Sequence, residues 1–366
     1  MGIPQYFSAT YTEARSKFLD AARAGGGAIE SHVNPNAKGA NGEELATDVA
    51  RFGDIDAENL FITCAGTHGN EGFCGSGCQI GLIEEGIIKA QPQSVAVVLV
   101  HAINPYGFSH VRRVTEDNVD LNRNFQDFAK PLPQNPRYAE IRDLLLPSDW
   151  DGPGRAKADA ALQAWVNANG LSALQAAVAG GQYEFPDGMF FGGQQATWSN
   201  QMFRTITKKH GAAAKRVGFI DIHSGLGPKG YGEPISIFAR DTPGFERART
   251  WRGNDVTSIT DGTSKSTPVT GPLMGGVNES LPSAEVTSIG LEFGTVELLE
   301  VLDALRGDNW LYARGLKSGL RMDSALARGI KTKVRDALHV DTDDWKEKVY
   351  ARTADFTLKA YRGLTS

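Results

Sequence analysis

Positive charge in excess and long apolar runs are both missing from this sequence. Its 38 lysine and arginine residues are outnumbered by 43 aspartate and glutamate residues, which gives a net charge of -5. A nucleic-acid partner is therefore not expected, because it would require a clustered surplus of basic side chains. No uncharged apolar run approaches the ~20 residues that span a bilayer, so no membrane partner is expected either.

Cysteine is also scarce, with only Cys64, Cys74 and Cys78 in 366 residues. Residues 1–10 lack a basic segment followed by an apolar stretch, so no secretory signal is predicted. An odd, sparse set of cysteines without such a signal favours reduced thiols in the cytoplasm. Cys74 and Cys78 could share a helix face, but no second pair completes a thiolate metal site. We interpret all three as small buried side chains.

Apolar runs that alternate with helical patterns predict an α/β fold with a mostly parallel sheet. Residues 95–101, 217–222 and 287–293 are almost continuously apolar, as in central strands that are covered on both faces. Shorter strand patterns occupy residues 44–52 and 59–64. Helical patterns are predicted at residues 11–22, 72–86, 136–145, 157–179, 296–305 and 344–364.

The length of the chain suits one large domain with a sizeable insertion. Residues 126–193 interrupt the alternation and are rich in proline and glycine at both ends, so we predict an insertion there within a single domain of residues 1–366. A helical C-terminal extension is predicted from about residue 306. The aromatic segment 182–193 either lines the mouth of a cleft or anchors the insertion.

Two histidines and a glutamate follow predicted strands in a pattern that suits a metal ion. His68 and Glu71 come after the strand at 59–64, and His223 follows the strand at 217–222. In open α/β sheets, ligand sites lie beyond the carboxyl ends of the strands. Two histidines and one carboxylate with an open position are typical of catalytic zinc, although a single His-x-x-Glu is a weak motif. Asp221 is a candidate outer partner of His223.

Four further motifs accompany these residues. The sequence continues with Asn-Pro-Tyr-Gly-Phe at 104–108, an arginine pair at 112–113 and Asp-Leu-Asn-Arg-Asn-Phe at 120–125. Gly-Leu-Glu-Phe-Gly-Thr at 290–295 then puts Glu292 at the end of an apolar strand. A carboxylate is costly to bury at such a place unless it has a partner or a task.

In this order the motifs resemble the zinc carboxypeptidase family (carboxypeptidase A-like), and in particular a bacterial branch with little assigned biochemistry. The resemblance covers roughly residues 61–297. It implies a three-layer α/β/α sandwich around a mixed sheet of about eight strands, and one zinc ion. His68, Glu71 and His223 match the metal ligands of the family, and Glu292 matches its general base.

The resemblance also assigns roles to polar residues around the metal. Asn122 and Arg123 match the pair that holds the terminal carboxylate of the substrate, while a structural ion pair of Arg123 with Asp120 or Glu116 is the alternative from the residues alone. Arg113, or else its neighbour Arg112, matches the arginine that polarises the scissile carbonyl. No residue clearly matches the mobile tyrosine of the family, for which only Tyr231 is a candidate.

Three functional hypotheses follow. The first is a zinc metallo-carboxypeptidase that removes a C-terminal residue from a peptide or peptide-like amide. The second is an N-acyl amino acid deacylase resembling aspartoacylase, and the third is a metal-free binding protein with the same fold. Either enzyme would act on a small peptide or acyl amino acid with a free carboxylate, because the planar fork of an arginine suits that group.

Overall fold

The computed structural model describes residues 2–366 and confirms the predicted α/β sandwich. Across these residues one sheet of eight strands forms, in the order β1-β2-β4-β3-β5-β8-β6-β7. The strands are β1 Ala28–Val33, β2 Ala46–Phe52, β3 Asn59–Ala65, β4 Val95–His101, β5 Arg216–Lys229, β6 Gly232–Ser236, β7 Thr257–Ser258 and β8 Glu285–Gly294.

The centre of the sheet is parallel, and antiparallel pairings join the outer strands to it. Strands β4, β3, β5 and β8 run in one direction, while β1, β2 and β6 join them through antiparallel pairings. The sheet is therefore mixed, as predicted. The strand that carries His223 continues to Lys229, whereas the sequence pattern suggested an end at Ile222. Continued pairing with β8 explains this extension, because His223 lies opposite Glu292 in the register.

Helices surround the sheet on both faces and at the carboxyl ends of its parallel strands. They are α1 Tyr11–Ala24, α2 Gly72–Glu84, α3 Pro105–Ser109, α4 Pro136–Leu145, α5 Pro153–Asn169, α6 Leu171–Ala179, α7 Trp198–His210, α8 Pro243–Arg252, α9 Leu273–Ser280, α10 Leu298–Trp310, α11 Ala325–Leu338 and α12 Asp343–Thr365. The first begins after Thr10, whose side chain accepts a hydrogen bond from the main-chain N–H of Glu13.

The alternating side chains of the central strands divide the core into two layers. Val95, Val97 and Leu99 of β4 pack in one cluster with residues of α1, α2, α8 and α12. Ala96, Val98 and Val100 pack on the opposite face with residues of α7 and α9. This period of two explains why a nearly continuous apolar run is a strand that is covered on both faces.

The segment between β4 and β5 holds helices α3 to α7. Residues 157–179, predicted as one helical pattern, form most of α5 and all of α6, which meet at Gly170. That residue adopts φ +92, a conformation that favours glycine and that ends α5. The description of residues 126–193 as an insertion in a single domain remains a prediction. No helix within residues 2–366 is both long and apolar enough to cross a membrane.

A close contact between two turns fixes the segment that carries His68 and Glu71. Gly69 lies against Gly107, and a Cβ atom added to Gly69 would lie 2.0 Å from the Gly107 carbonyl carbon. The main-chain N–H groups of Gly69 and Asn70 donate to the carbonyl oxygens of Arg113 and Arg112, at 3.2 and 2.8 Å. The ligand-bearing turn and the arginine pair are therefore held together through main-chain atoms.

We expect Gly69→Ala to destabilise the fold by about 1–3 kcal/mol, because main-chain atoms must move to admit the methyl group. Gly329→Ala is the matched control. This glycine is exposed within α11 and has open space around its Cα, so alanine should stabilise by about 0.5–1 kcal/mol. Urea unfolding of both variants measures the difference. Equal stability of Gly69→Ala and the unchanged protein would contradict the role of this contact.

Candidate metal centre and cleft

The structure brings His68, Glu71 and His223 together just beyond the carboxyl end of β3, beside the middle of β5, which carries His223. All three side chains are buried, and one potential ligand atom from each lies within 4.8 Å of the other two. The His68 Nδ1 atom is 2.8 Å from Glu71 Oε1, and the His223 Nδ1 atom is 3.0 Å from Glu71 Oε2. The two Nδ1 atoms are 3.3 Å apart. In a tetrahedral metal site with bonds of about 2.0–2.1 Å, the ligand atoms lie about as far from one another as these nitrogen and oxygen atoms do.

The opposite nitrogen of each histidine faces an aspartate. His223 Nε2 lies 2.8 Å from Asp221 Oδ2, a close ionic contact that is off the direction of a hydrogen bond. His68 Nε2 lies 3.2 Å from Asp120 Oδ1. Such outer carboxylates favour the tautomer in which Nε2 carries the proton and Nδ1 is free to bind a metal.

This tautomer leaves three electron-rich groups facing one another. The lone pairs of both Nδ1 atoms and the Glu71 carboxylate converge, and such groups repel one another unless a proton or a cation lies between them. The donor set is two imidazoles and a carboxylate, a set that suits a divalent transition metal. The residues therefore fit a metal ion.

The charges around the cluster agree with this interpretation. Burial lowers the pKa of His223, but Asp221 and Glu71 outweigh this effect and raise it well above the ordinary value. Burial raises the pKa of Glu71, but the two histidines outweigh it and lower the pKa below its ordinary value. The cluster therefore attracts positive charge, which a bound metal ion would supply in place of a proton.

Arg113, and not Arg112, reaches the cluster. Its Nε donates to Asp120 Oδ2 at 2.9 Å, and its Nη1 lies 3.4 Å from Glu71 Oε1. Its Nη2 is also 2.7 Å from His68 Nε2. Because an arginine only donates, that last contact is not a hydrogen bond when Nε2 carries its proton.

Arg112 points away from the cluster. Its Nε donates to Asp308 Oδ2 at 3.0 Å, and its guanidinium carbon lies 3.7 Å from the centre of the Tyr312 ring. The preceding residue, Val111, has φ +50, which is strained for a branched side chain. The strained main chain at Val111 thus precedes two arginines whose side chains have different surroundings.

Asn122 and Arg123 line the same cleft as the cluster. Asn122 Oδ1 accepts a hydrogen bond from the main-chain N–H of Leu273 at 2.9 Å. The Arg123 guanidinium donates to the carbonyl oxygen of Ala179 through Nε and Nη2, and to that of Asn122 through Nη1. These bonds use three of the five N–H groups of an arginine.

The predicted alternative, an ion pair of Arg123 with Asp120 or Glu116, does not form. Asp120 pairs with Arg113 instead, and no carboxylate within residues 2–366 forms an ion pair with Arg123. Burial lowers the pKa of Arg123, and the charge of Asp120 partly opposes this effect. Arg123 is therefore a buried cation with two free N–H groups beside the cluster.

Glu292 lies in the cleft on β8, opposite His223 in the register. Its Oε1 accepts a hydrogen bond from the main-chain N–H of Leu226 at 3.0 Å. Solvent reaches part of this side chain, but protein atoms surround the carboxylate on most sides. This burial, followed by the charge of Glu71, raises the pKa of Glu292 to about 8. A divalent cation nearby would lower that pKa again.

The end of α11 holds the main chain beside His223 and Glu292. Ser224 Oγ donates to the carbonyl oxygen of Leu338 at 2.6 Å. Thr295 Oγ1 donates to the carbonyl oxygen of Ala337 at 2.6 Å, and the carbonyl oxygen of Gly225 lies 3.2 Å from the same hydroxyl. The C-terminal helices thus contribute directly to the geometry of the site, and Leu338 also lines the cleft.

The cleft has a polar floor and apolar walls. Its volume is about 1120 Å³, which includes the open space at its mouth. The floor is formed by the cluster with Arg113, Asn122, Arg123 and Glu292. The walls consist largely of aliphatic side chains, among them Leu171, Leu174, Val178, Ile235, Ile237, Ile259, Val269, Met274, Leu298, Leu299, Val301, Leu302 and Leu305.

Several features of the cleft were not predicted from the sequence. Asp120 was considered only as a partner of Arg123, although its position beside a metal-ligand histidine follows the same logic as that of Asp221. The leucines of α6 and α10 were not predicted to line a cleft. The segment 182–193 contributes Phe190 to the lining, whereas Tyr183 is buried and anchors the segment by donating to the carbonyl oxygen of Arg123.

The candidate tyrosine, Tyr231, does not line the cleft. It is 43% exposed on the turn between β5 and β6, where the Arg352 guanidinium lies near its ring. No tyrosine lines the cleft among the residues that the structure describes. The position of Tyr231 is a consequence of the longer β5, which carries the chain past the site before it turns.

Comparison with solved structures returns proteins of low sequence identity. Carboxypeptidase A from Helicoverpa armigera is 12% identical, with a TM-score of 0.47, and the match covers 95% of this chain and 74% of that one. An aspartoacylase family protein from Mesorhizobium loti is 16% identical, with a TM-score of 0.36, and the match covers 79% of this chain and 67% of that one. The succinylglutamate desuccinylase from Chromobacterium violaceum is 13% identical, with a TM-score of 0.37, and the match covers 88% of this chain and 73% of that one.

These structures come from the groups that the sequence motifs resemble, carboxypeptidases and aspartoacylase-type proteins. Comparison with curated proteins returns no match. Residues 7–352 match a family that is described as "Protein of unknown function (DUF2817)". Because the match covers most of the chain, the protein belongs to this family.

Proposed function

We propose that this protein is a zinc-dependent hydrolase that removes a C-terminal residue from a peptide or peptide-like amide. The observation that carries the proposal is Arg123. A buried cation without an ion-pair partner, with two free N–H groups in the cleft of a metal-binding cluster, suits a substrate carboxylate. The scissile bond would then lie between that carboxylate and the rest of the substrate, next to the cluster.

His68, Glu71 and His223 would hold the metal ion, with Asp120 and Asp221 as partners of the two histidines. A bound zinc ion would lower the pKa of a water molecule to about 7 and would polarise a carbonyl oxygen. The outer aspartates would direct one proton of each histidine to Nε2, so that Nδ1 could serve as the ligand when the ion takes the place of a proton there.

Glu292 would act as the general base and then as the general acid. Its carboxylate would accept a proton from the attacking water and pass that proton to the departing nitrogen, and a group in this role typically accelerates hydrolysis about 10²–10⁴-fold. The hydrogen bond from the Leu226 N–H orients one oxygen of Glu292 and leaves the other free for the proton.

Arg113 would stabilise negative charge on the carbonyl oxygen during the reaction. Its guanidinium is held by Asp120 on one side and lies 4.7 Å from the centre of the Phe190 ring on the other. A fixed donor that needs no reorientation stabilises a developing oxyanion most effectively. Asn122 and Arg123 would hold the substrate carboxylate at the neighbouring position.

We expect Asp221→Asn to weaken zinc binding about 10- to 100-fold, because the amide cannot support the His223 tautomer as a carboxylate does. Competition with a zinc chelator dye measures this affinity without any activity assay. Asp344→Asn, at an exposed carboxylate in the first turn of α12, is the control and should bind zinc like the unchanged protein. A protein that binds no zinc before substitution would refute the proposed metal centre.

Glu292→Gln should reduce kcat about 10²–10⁴-fold, while zinc content and substrate affinity stay close to those of the unchanged protein. The amide keeps the size of the side chain but cannot accept the proton. Steady-state kinetics of the zinc-loaded variant, together with elemental analysis, test this expectation. Full activity of the variant would remove Glu292 from the mechanism.

Arg123→Lys should raise KM roughly 10- to 100-fold for substrates with a free carboxylate, because the planar pair of donors is lost. Amidated versions of the same substrates should be poor with both proteins, which separates loss of carboxylate binding from damage to the fold. A panel of peptides and N-acyl amino acids then distinguishes the carboxypeptidase from the deacylase alternative. Hydrolysis of acyl amino acids alone would favour the second.

A further inference from the structure

We infer that the part of the substrate that extends beyond the scissile carbonyl is a long, flexible aliphatic chain, so that the substrate is an N-acyl amino acid with a fatty-acyl group. This inference rests on the proposed zinc-dependent hydrolysis of a peptide-like amide, and it assigns that amide to the N-acyl amino acids, the substrates of the deacylase alternative, instead of to peptides. It is carried by the two leucine-bearing helices beside the metal cluster.

Helices α6 and α10 contribute an apolar surface, which we call the aliphatic wall and define by Leu171, Leu174 and Val178 of α6 with Leu298, Leu299 and Leu302 of α10. The wall borders the polar floor on two sides, because Arg123 donates to the carbonyl oxygen of Ala179 at the end of α6, and α10 begins four residues after the end of β8, the strand that carries Glu292. The polar floor and the aliphatic wall therefore form one continuous surface in the cleft.

The wall reaches the surface of the protein. Leu171 is 42% exposed and Leu299 is 55% exposed, so two large apolar side chains face solvent at the mouth of the cleft. Leu174 and Val178 are buried deeper on the same helix. An aliphatic chain that leaves the cluster can follow this surface from the floor to the mouth.

A peptide would fit this wall poorly. Each residue of a bound peptide carries an N–H and a carbonyl group that must find hydrogen-bond partners when they leave water. From Leu174 in α6 and from Val301 in α10 onward, the main-chain N–H groups are bonded within the helix. The deeper part of the wall, at Leu174, Val178 and Leu302, therefore offers only aliphatic side chains. The nearby Gln175 donates one side-chain N–H to the carbonyl oxygen of Lys265 at 2.9 Å.

One amino-acid side chain would contact only part of the aliphatic wall. The wall takes residues from two helices and extends from the buried Leu174 and Val178 to the exposed Leu171 and Leu299. An alkyl chain has no polar groups to satisfy, and each buried methylene strengthens binding by about fourfold at most. A fatty-acyl chain thus uses both the extent and the chemistry of the wall.

The reaction would be the hydrolysis of an N-acyl amino acid. The oxygen of water forms a bond to the acyl carbon, the carbon–nitrogen bond breaks, and the nitrogen receives the proton that Glu292 carries. The products are a fatty acid and a free amino acid. Water is the only other reactant.

The test compares the zinc-loaded protein on N-acetylglycine, N-octanoylglycine, N-dodecanoylglycine and the peptide Ala-Ala-Ala-Ala-Gly. We expect kcat/KM for N-dodecanoylglycine to exceed the values for N-acetylglycine and for the peptide by about 100-fold or more. Calorimetry with the Glu292→Gln variant should show that N-dodecanoylglycine also binds more tightly than N-acetylglycine and the peptide. Equal values for long and short acyl chains, or a preference for the peptide, would overturn the inference and leave the proposed hydrolase intact.

Substitutions at the mouth of the cleft tie the preference to the wall. The double variant Leu171→Asn, Leu299→Asn should lower the ratio of dodecanoyl to acetyl kcat/KM about tenfold, because both exposed leucines lose their apolar contact with the chain. Ile55→Asn is the matched control, since Ile55 is 51% exposed but lies outside the cleft, and it should keep the ratio. An unchanged ratio in the double variant would also overturn the inference.

Failure of the proposed function gives a different result. If the zinc-loaded protein hydrolyses none of these amides, the hydrolase proposal fails. Tight binding of N-dodecanoylglycine that is weakened by the double variant would still support the wall as a site for an acyl chain. Absence of both hydrolysis and binding would overturn the two together.

Discussion

The convergence of His68, Glu71 and His223 is the constraint on which the rest of the site depends. Their acceptor atoms face one another at distances that would be repulsive without positive charge between them. The surrounding residues fit this constraint. Asp120 and Asp221 direct the protons of the histidines outward, and the main-chain bonds between the turn at Gly69 and the arginine pair hold the ligands in place.

The sheet supplies the geometry that brings these residues together. Strand β3 ends beside the middle of β5, and β8 runs along the other side of β5, so residues that are far apart in sequence meet there. His223 and Glu292 are opposite each other in neighbouring strands, so ligand and base are fixed by the same hydrogen-bonded ladder. The outer strands of the sheet do not contribute ligands. Their role is to complete the sheet around its parallel centre.

The sequence predicted the centre of the fold better than its margins. Strand β4 was predicted with its observed bounds because both of its faces are buried, which makes the run continuously apolar. Strand β1 was not predicted, since it is largely solvent-accessible and carries polar residues, and β7 has only two residues. The metal-binding cluster was predicted from motifs that each follow a strand. The aliphatic wall was not, because the packing of α6 against α10 joins distant segments that no local pattern relates.

The contact between the end of α11 and the strands of the site has a consequence for the order of folding. Ser224 and Leu338 are separated by 114 residues. Their contact cannot form until the end of α11 has been synthesised. During synthesis the three candidate ligands emerge well before α11, so the nascent chain can present them to metal while the cleft is still unfinished. The main-chain support of His223 is completed only when nearly the whole polypeptide has been made.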